Sequence, residues 1–168
     1  MGDGETTEGS IWEAAAFASY YKLNNLIGIV DMNALGQSDP TMYGHNSKSY
    51  CSKFQAFGWE TIPIDGHCCN AIVKALNIAR NQKDKPTVLI IKTFKGKGFG
   101  TIIEGKEGWH GKALGGETEK TINFINEEIK SKDLVLKPEL PEGEEVKYEE
   151  VKVVLKPSFP DRKPISTR

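Results

Sequence analysis

Cysteine is scarce in this chain of 168 residues, which holds three: Cys51, Cys68 and Cys69. Three thiols cannot all pair, and chain neighbours bridge each other only with strain. The cysteines therefore read as free thiols. His67 beside Cys68 and Cys69 does not make a zinc site either, because such sites draw ligand pairs from separate segments, so this stretch reads as the start of a helix. No apolar run approaches the roughly 20 residues that cross a bilayer, and a basic-then-apolar leader pattern is absent. The expectation is a cytoplasmic protein with no membrane partner. Positive charge is not in excess, with 22 Lys and Arg against 23 Asp and Glu and a net charge of −1. A surface that tracks a phosphate backbone is thereby disfavoured, and no nucleic acid partner is expected.

What is present is 38% hydrophobic residues in a chain long enough for one domain with a core. Ile11, Ala14, Ala15 and Ala18 recur at helical spacing within residues 10–22, and Ser10 can cap with Glu13. Residues 26–31 form a branched apolar run that predicts a strand buried on both faces. A polar loop follows over residues 34–43, then a helix over residues 48–57. Residues 59–64 predict a second strand, and residues 70–81 a helix with Ile72, Val73, Leu76 and Ala79 on one face. Residues 87–91 predict a third buried strand. Strands alternating with helices imply an α/β fold with a doubly wound, mostly parallel sheet, and ligands in such sheets bind beyond the carboxyl ends of the strands.

Beyond residue 91 the chain is glycine-rich from 95 to 116, with a helix predicted over residues 118–130. From residue 133 the composition is that of a linker, rich in Pro and Glu, with Pro138, Pro141, Pro157, Pro160 and Pro164. The expected organisation is a binding domain over residues 1–132 and an extended C-terminal linker over residues 133–168. An edge strand over residues 151–155 is a further expectation.

The opening loop carries chemistry. In Gly2-Asp3-Gly4, two glycines let backbone amides approach an anion, and Asp3 offers a hard oxygen ligand. Magnesium takes six oxygens, some of them from bound phosphates. Asn33, placed directly after the strand over residues 26–31, and the backbone carbonyl of Leu35 are candidate partners for Asp3. Taken by itself, the pattern reads more simply as a tight turn followed by a strand-end cap, since a three-residue motif occurs often by chance.

The pattern recurs in a larger setting. A Gly-Asp-Gly with an Asn about thirty residues on resembles the magnesium and thiamine diphosphate signature of the thiamine-dependent enzymes. Gly2-Asp3-Gly4-Glu5 with Glu8-Gly9-Ser10 and Trp12-Glu13-Ala14 resembles transketolase in particular. So do ASYYKLNNLIGIVDMNALGQSDP over residues 18–40, FGWETIPIDGH over 57–67, KTFKGKGFG over 92–100 and GWHGKAL over 108–114. The resemblance is strong from residue 2 to about 114 and looser beyond. Other thiamine enzymes, such as 2-oxo acid dehydrogenases and deoxyxylulose phosphate synthases, share the Gly-Asp-Gly and Asn pair but not the Lys-Thr-Phe-Lys-Gly and Trp-His-Gly-Lys blocks.

The resemblance implies the thiamine diphosphate-binding fold. It implies magnesium held by Asp3, Asn33 and the carbonyl of Leu35, with Gly2 and Gly4 in the diphosphate loop and Gln37 near the cofactor. Glu8 matches a carboxylate at the family's dimer interface and is grouped with the cofactor loop. Lys95 and His110 match catalytic positions at the mouth of the site. The implied activity is reversible transfer of a two-carbon ketol unit from a ketose phosphate to an aldose phosphate. A homodimer, or a partner chain with a pyrimidine-binding domain, is implied as well, because a glutamate on that domain activates the cofactor. The strand before Gly-Asp-Gly and the pyrimidine domain fall outside these 168 residues, so no turnover is expected of the chain tested alone. The alternative expectation is a non-catalytic paralogue that binds the cofactor or dimerises with full-length enzyme and modulates it.

Overall fold

The computed structural model describes residues 1–131 and residue 137. The expected linker and the strand over residues 151–155 lie outside the described residues. Three strands, β1 (Ile27–Met32), β2 (Glu60–Asp65) and β3 (Thr87–Lys92), form a parallel sheet in the order β1-β3-β2. Residue 27 of β1 and residue 60 of β2 both stand opposite Thr87. β3, flanked on both sides, carries the most apolar run and is buried from Thr87 to Ile90. This is the pattern expected of a central parallel strand.

The helices are α1 (Gly9–Tyr20), α2 (Ser47–Ala56), α3 (Cys69–Arg80) and α4 (Thr118–Glu128). On one face of the sheet, Ala15 and Ala18 of α1 and Tyr50, Cys51 and Phe54 of α2 pack with Val30, Met32, Trp59, Val88 and Ile90. The indole N–H of Trp59 donates to the Ala15 carbonyl at 2.9 Å and ties α1 into this layer. On the other face, Ala75 and Ala79 of α3 pack with Leu89, flanked by Ile27, Ile62, Ile64 and Ile91. Helices on both faces of a parallel sheet make the fold doubly wound.

Three local expectations are corrected. α1 starts one residue before Ser10, with Glu8 at the N-cap and no side-chain cap bond. A short 3-10 turn, Gly4–Thr7, already leads the chain into the helix, so the Ser10 box is not needed. The inner face of α3 is Ala75 and Ala79, whereas Val73 is 57% and Leu76 39% exposed. Small residues one turn apart let that helix lie close to the sheet, and the larger side chains fall beside the contact. β1 is not buried on both faces, since Ile29 is 44% exposed. Among the described residues, its outer edge meets residues 1–3 alone: the Met1 amino group donates to the Ile29 carbonyl, Asp31 N–H to the Met1 carbonyl and Asp3 N–H to the Asp31 carbonyl, at 2.9, 2.9 and 3.0 Å. Gly2 thus bridges Asp31 in parallel. The Gly-Asp-Gly loop therefore leaves the sheet at the carboxyl end of β1, where ligands of such sheets are bound.

Candidate cofactor site

Asp3 is the organising residue. It is 2% exposed, and a buried carboxylate must be hydrogen-bonded to be tolerated. Its Oδ1 accepts Gly4 N–H at 3.0 Å, and its Oδ2 accepts Ala34 N–H at 3.0 Å and the Thr41 hydroxyl at 2.7 Å. Two donors occupy Oδ2, which leaves lone-pair capacity on Oδ1. The carboxylate thus joins the opening loop to the loop after β1.

That second loop is shaped around Asn33. The Asn33 Oδ1 accepts Leu35 N–H at 2.9 Å, and its amide donates to Asp31 Oδ2 at 2.9 Å. The Thr93 hydroxyl, just after β3, donates to the other oxygen of Asp31. Side-chain rotation of Asn33 is therefore set from the ends of two strands. Ala34, between Asn33 and Leu35, has φ +65, a left-handed conformation unusual for a residue with a Cβ. Leu35 and Pro40 then bridge, and Gly36 N–H donates to the Asp39 carbonyl at 2.8 Å, folding residues 35–40 into a tight turn with Gln37 in it. A Cβ on Gly36 would stand 2.8 Å from that Asp39 oxygen, so the turn needs glycine there.

The third wall comes from the glycine-rich segment after β3. Lys95 Nζ and His110 Nδ1 lie 3.0 Å apart. Just before Lys95, Phe94 lies between two imidazoles: its ring is edge-on to His45 at 4.9 Å and stacked on His67 at 6.1 Å. His67 Nε2 accepts Phe94 N–H, and His45 Nε2 bonds the Thr93 carbonyl, both at 2.9 Å. These two histidines hold the segment that presents Lys95. Farther along, Lys97 pairs with Glu104 at 3.0 Å, and Gly98 N–H donates to the same carboxylate at 3.2 Å. The hydrogen bond from Lys97, helped by Gly98 N–H, holds the Glu104 carboxyl below its ordinary value.

These walls enclose a cleft of about 530 Å³. Gly2, Asp3, Gly4 and Glu8 line one side of it, and Asn33, Leu35 and Gln37 a second. Lys95 and His110 line the third, so all nine candidate residues from the sequence meet in one place. The protein donors of the suspected metal set are oxygens throughout, which suits a hard cation such as magnesium. Among the described residues, no group of three or more His, Cys, Asp or Glu could hold a metal. The set thus has a single carboxylate and needs further oxygens from a ligand such as a diphosphate. Lys95 lines the same cleft and brings a positive charge to it. The donor chemistry fits magnesium with a diphosphate.

Sequence reasoning missed Asp31, Ala34, Thr41, Tyr50 and Thr93. Asp31 stood two residues before Asn33, a visible signal. Thr41, Tyr50 and Thr93 act across gaps of many residues and left none. Tyr50, on α2, is fully buried near Asp3 and Thr41; burial pushes its phenol up from the ordinary 10.0, Thr41 opposes the rise and the negative Asp3 adds to it.

A family model described as the thiamine diphosphate binding domain of transketolase matches residues 1–128. The chain is 44% identical over 164 residues to a transketolase of Homo sapiens, covering 97% of this chain and 25% of that protein. It is 39% identical over 161 residues to a human transketolase-like protein 2, covering 95% of this chain and 26% of that one. A crystal structure of transketolase from Campylobacter jejuni superposes with a TM-score of 0.62 at 32% identity, over 76% of this chain and 19% of that chain. The chain thus spans about a quarter of the length of the curated relatives it matches. With the domain model covering three-quarters of the chain and the Asp3, Asn33 and Lys95 loops converging as described, the chain belongs to the transketolase family, in its thiamine diphosphate-binding N-terminal domain.

Proposed function

We propose that this chain supplies the diphosphate and magnesium half of a transketolase site, which transfers a two-carbon ketol unit between sugar phosphates. The observation that carries this reading is the single cleft in which Asp3, Asn33 and Leu35 face Lys95 and His110. Asp3, Asn33 and the Leu35 carbonyl would hold the cation, and Gly2 and Gly4 leave the backbone close to the diphosphate. Thiamine diphosphate, when bound, supplies the carbon nucleophile for the transfer. Lys95 neutralises phosphate charge at the cleft mouth. His110, 3.0 Å from Lys95, holds or releases a proton at its ring nitrogen as the sugar hydroxyls change state. Glu8 lies at the rim, suited to contact a second chain.

A partner, either a second copy or a chain bearing the pyrimidine-binding domain, completes the site in this reading, and the complex works in the cytoplasm. Isothermal titration of the 168-residue chain with thiamine diphosphate, with and without magnesium, tests the half-site. Saturable binding that requires the metal is expected, together with no ketol transfer by the chain alone and transfer on adding a separately made pyrimidine-domain chain. A metal-independent or flat titration sinks the reading. Binding without transfer in the mixture favours a non-catalytic modulator of full-length enzyme instead.

A further inference from the structure

The Tyr50 phenol stands apart among the buried polar groups. The residue is 0% exposed, and its hydroxyl is one of two buried side-chain oxygens, with that of Thr87, that make no hydrogen bond among the described residues. A buried hydroxyl without a partner is costly, and native structures retain one only for a reason. The ring packs edge-on against Tyr43 at 5.5 Å and belongs to the core layer of α1, α2 and the sheet. Phenylalanine would fill that space equally well. The hydroxyl therefore needs an explanation outside packing: Thr41 and Asp3 stand close enough to act on it, yet neither meets it in good hydrogen-bond geometry.

Around Asp3, the Thr41 hydroxyl spends its one proton on Oδ2 and keeps lone pairs free. The phenol can donate to that hydroxyl or to the carboxylate. We propose that Tyr50 is a positioning residue for the cation site: its phenol donates into the Thr41–Asp3 pair once a divalent cation draws on the Asp3 carboxylate, and so locks the carboxylate's rotation. A donor held in reserve beneath the ligand makes the site tighten with the metal. The inference rests on the proposed role of Asp3 as a metal ligand.

The test compares the full chain with its Tyr50→Phe variant, titrating magnesium at fixed thiamine diphosphate and following cofactor binding, with melting of the metal-free proteins alongside. Tyr50→Phe is expected to melt at or above the wild-type temperature without metal, since it removes only an unpaired hydroxyl. Its magnesium midpoint is expected to rise about tenfold or more, the loss of one hydrogen bond to a charged group. Thr41→Val, which removes the intermediary, is expected to raise the midpoint too, and adding Tyr50→Phe to it should have little further effect. A midpoint within twofold of wild type overturns the role of Tyr50. So does a higher midpoint accompanied by a lower metal-free melting temperature, which marks a merely structural tyrosine. A flat titration of the wild-type chain overturns the metal reading of Asp3 and this inference together, and is told apart by the absence of any wild-type midpoint.

Discussion

The backbone N–H of Ala34 donates to Asp3 Oδ2 at 3.0 Å across a sequence separation of 31 residues. One buried carboxylate thereby fixes the spacing of two loops whose oxygens face the same cleft. Asp3→Asn keeps the size and one acceptor but turns an amide toward donors that need an oxygen. The variant is expected to lose about 1.5–3 kcal/mol of stability, the value of hydrogen bonds to a charged group, and to lose magnesium-dependent cofactor binding. Urea denaturation and titration calorimetry check the two effects. Wild-type stability in the variant would mean that the carboxylate does not hold the loops.

Ala34 itself offers the opposite sign. At φ +65 it carries left-handed strain of about 1–2 kcal/mol, while glycine in its place gains freedom in the unfolded chain. Ala34→Gly is expected to stabilise the protein by roughly 0.5 kcal/mol and to loosen the Asn33–Leu35 loop, weakening cofactor binding. Thermal melts and binding titrations on the same preparation decide it. A destabilised variant would show that the surroundings, rather than the residue's own conformation, set its cost.

The sheet was legible because buried strands leave continuous branched runs: residues 26–31, 59–64 and 87–91 each fell within a residue or so of β1, β2 and β3. Asp3 and Asn33 were legible because glycines and strand ends mark where a backbone can approach a ligand. Thr41 and Thr93 were not, since hydrogen bonds to Asp3 and Asp31 span 38 and 62 residues and impose no period on the sequence. The misplaced inner face of α3 has a different cause. Hydrophobic spacing identified the helix and Ala79 on its inner face, but gave Val73 and Leu76 the contact that Ala75 makes beside Ala79.

Lys95 separates electrostatics from folding. Its ammonium meets His110 at an exposed position, and exposed substitutions usually stay within about 0.5 kcal/mol. Lys95→Ala is expected to melt like wild type yet bind thiamine diphosphate several-fold more weakly. The difference should shrink as salt is raised, because screening weakens exposed charges. Titrations at low and high ionic strength measure it, and a salt-independent loss would point to a contact other than charge.

Gly66 closes the turn after β2, where its N–H donates to the Lys92 carbonyl at 2.8 Å. A Cβ there would press on the Ile91 and Thr93 side chains and stand 3.0 Å from the Lys92 oxygen. Gly66→Ala is expected to cost about 1–3 kcal/mol, as overpacking does. It should also disturb the Thr93 contact with Asp31 and, through it, Asn33. Denaturation midpoints give the first effect and magnesium-dependent binding the second. A variant with full stability would show that the end of β3 moves aside freely.

Glu104 provides a pH test confined to the glycine-rich loop. Lys97 and Gly98 N–H hold its carboxyl below the ordinary 4.5, so the folded loop binds that proton more weakly than the unfolded chain does. Linkage then gives a contribution fully present above pH 4.5 and lost as pH falls through the lower folded value. The group is largely solvated, so the contribution is small and screened by salt. The protection factors of the Gly98 and Lys97 amides, measured by NMR from pH 6 down to 3 with the intrinsic exchange rate at each pH divided out, are expected to fall through this window. Glu104→Gln is expected to flatten the profile and exchange faster at pH 6, because the amide keeps an acceptor but loses the ion pair. Identical profiles for wild type and variant would show that the loop is closed by its backbone turns and not by the Lys97–Glu104 pair.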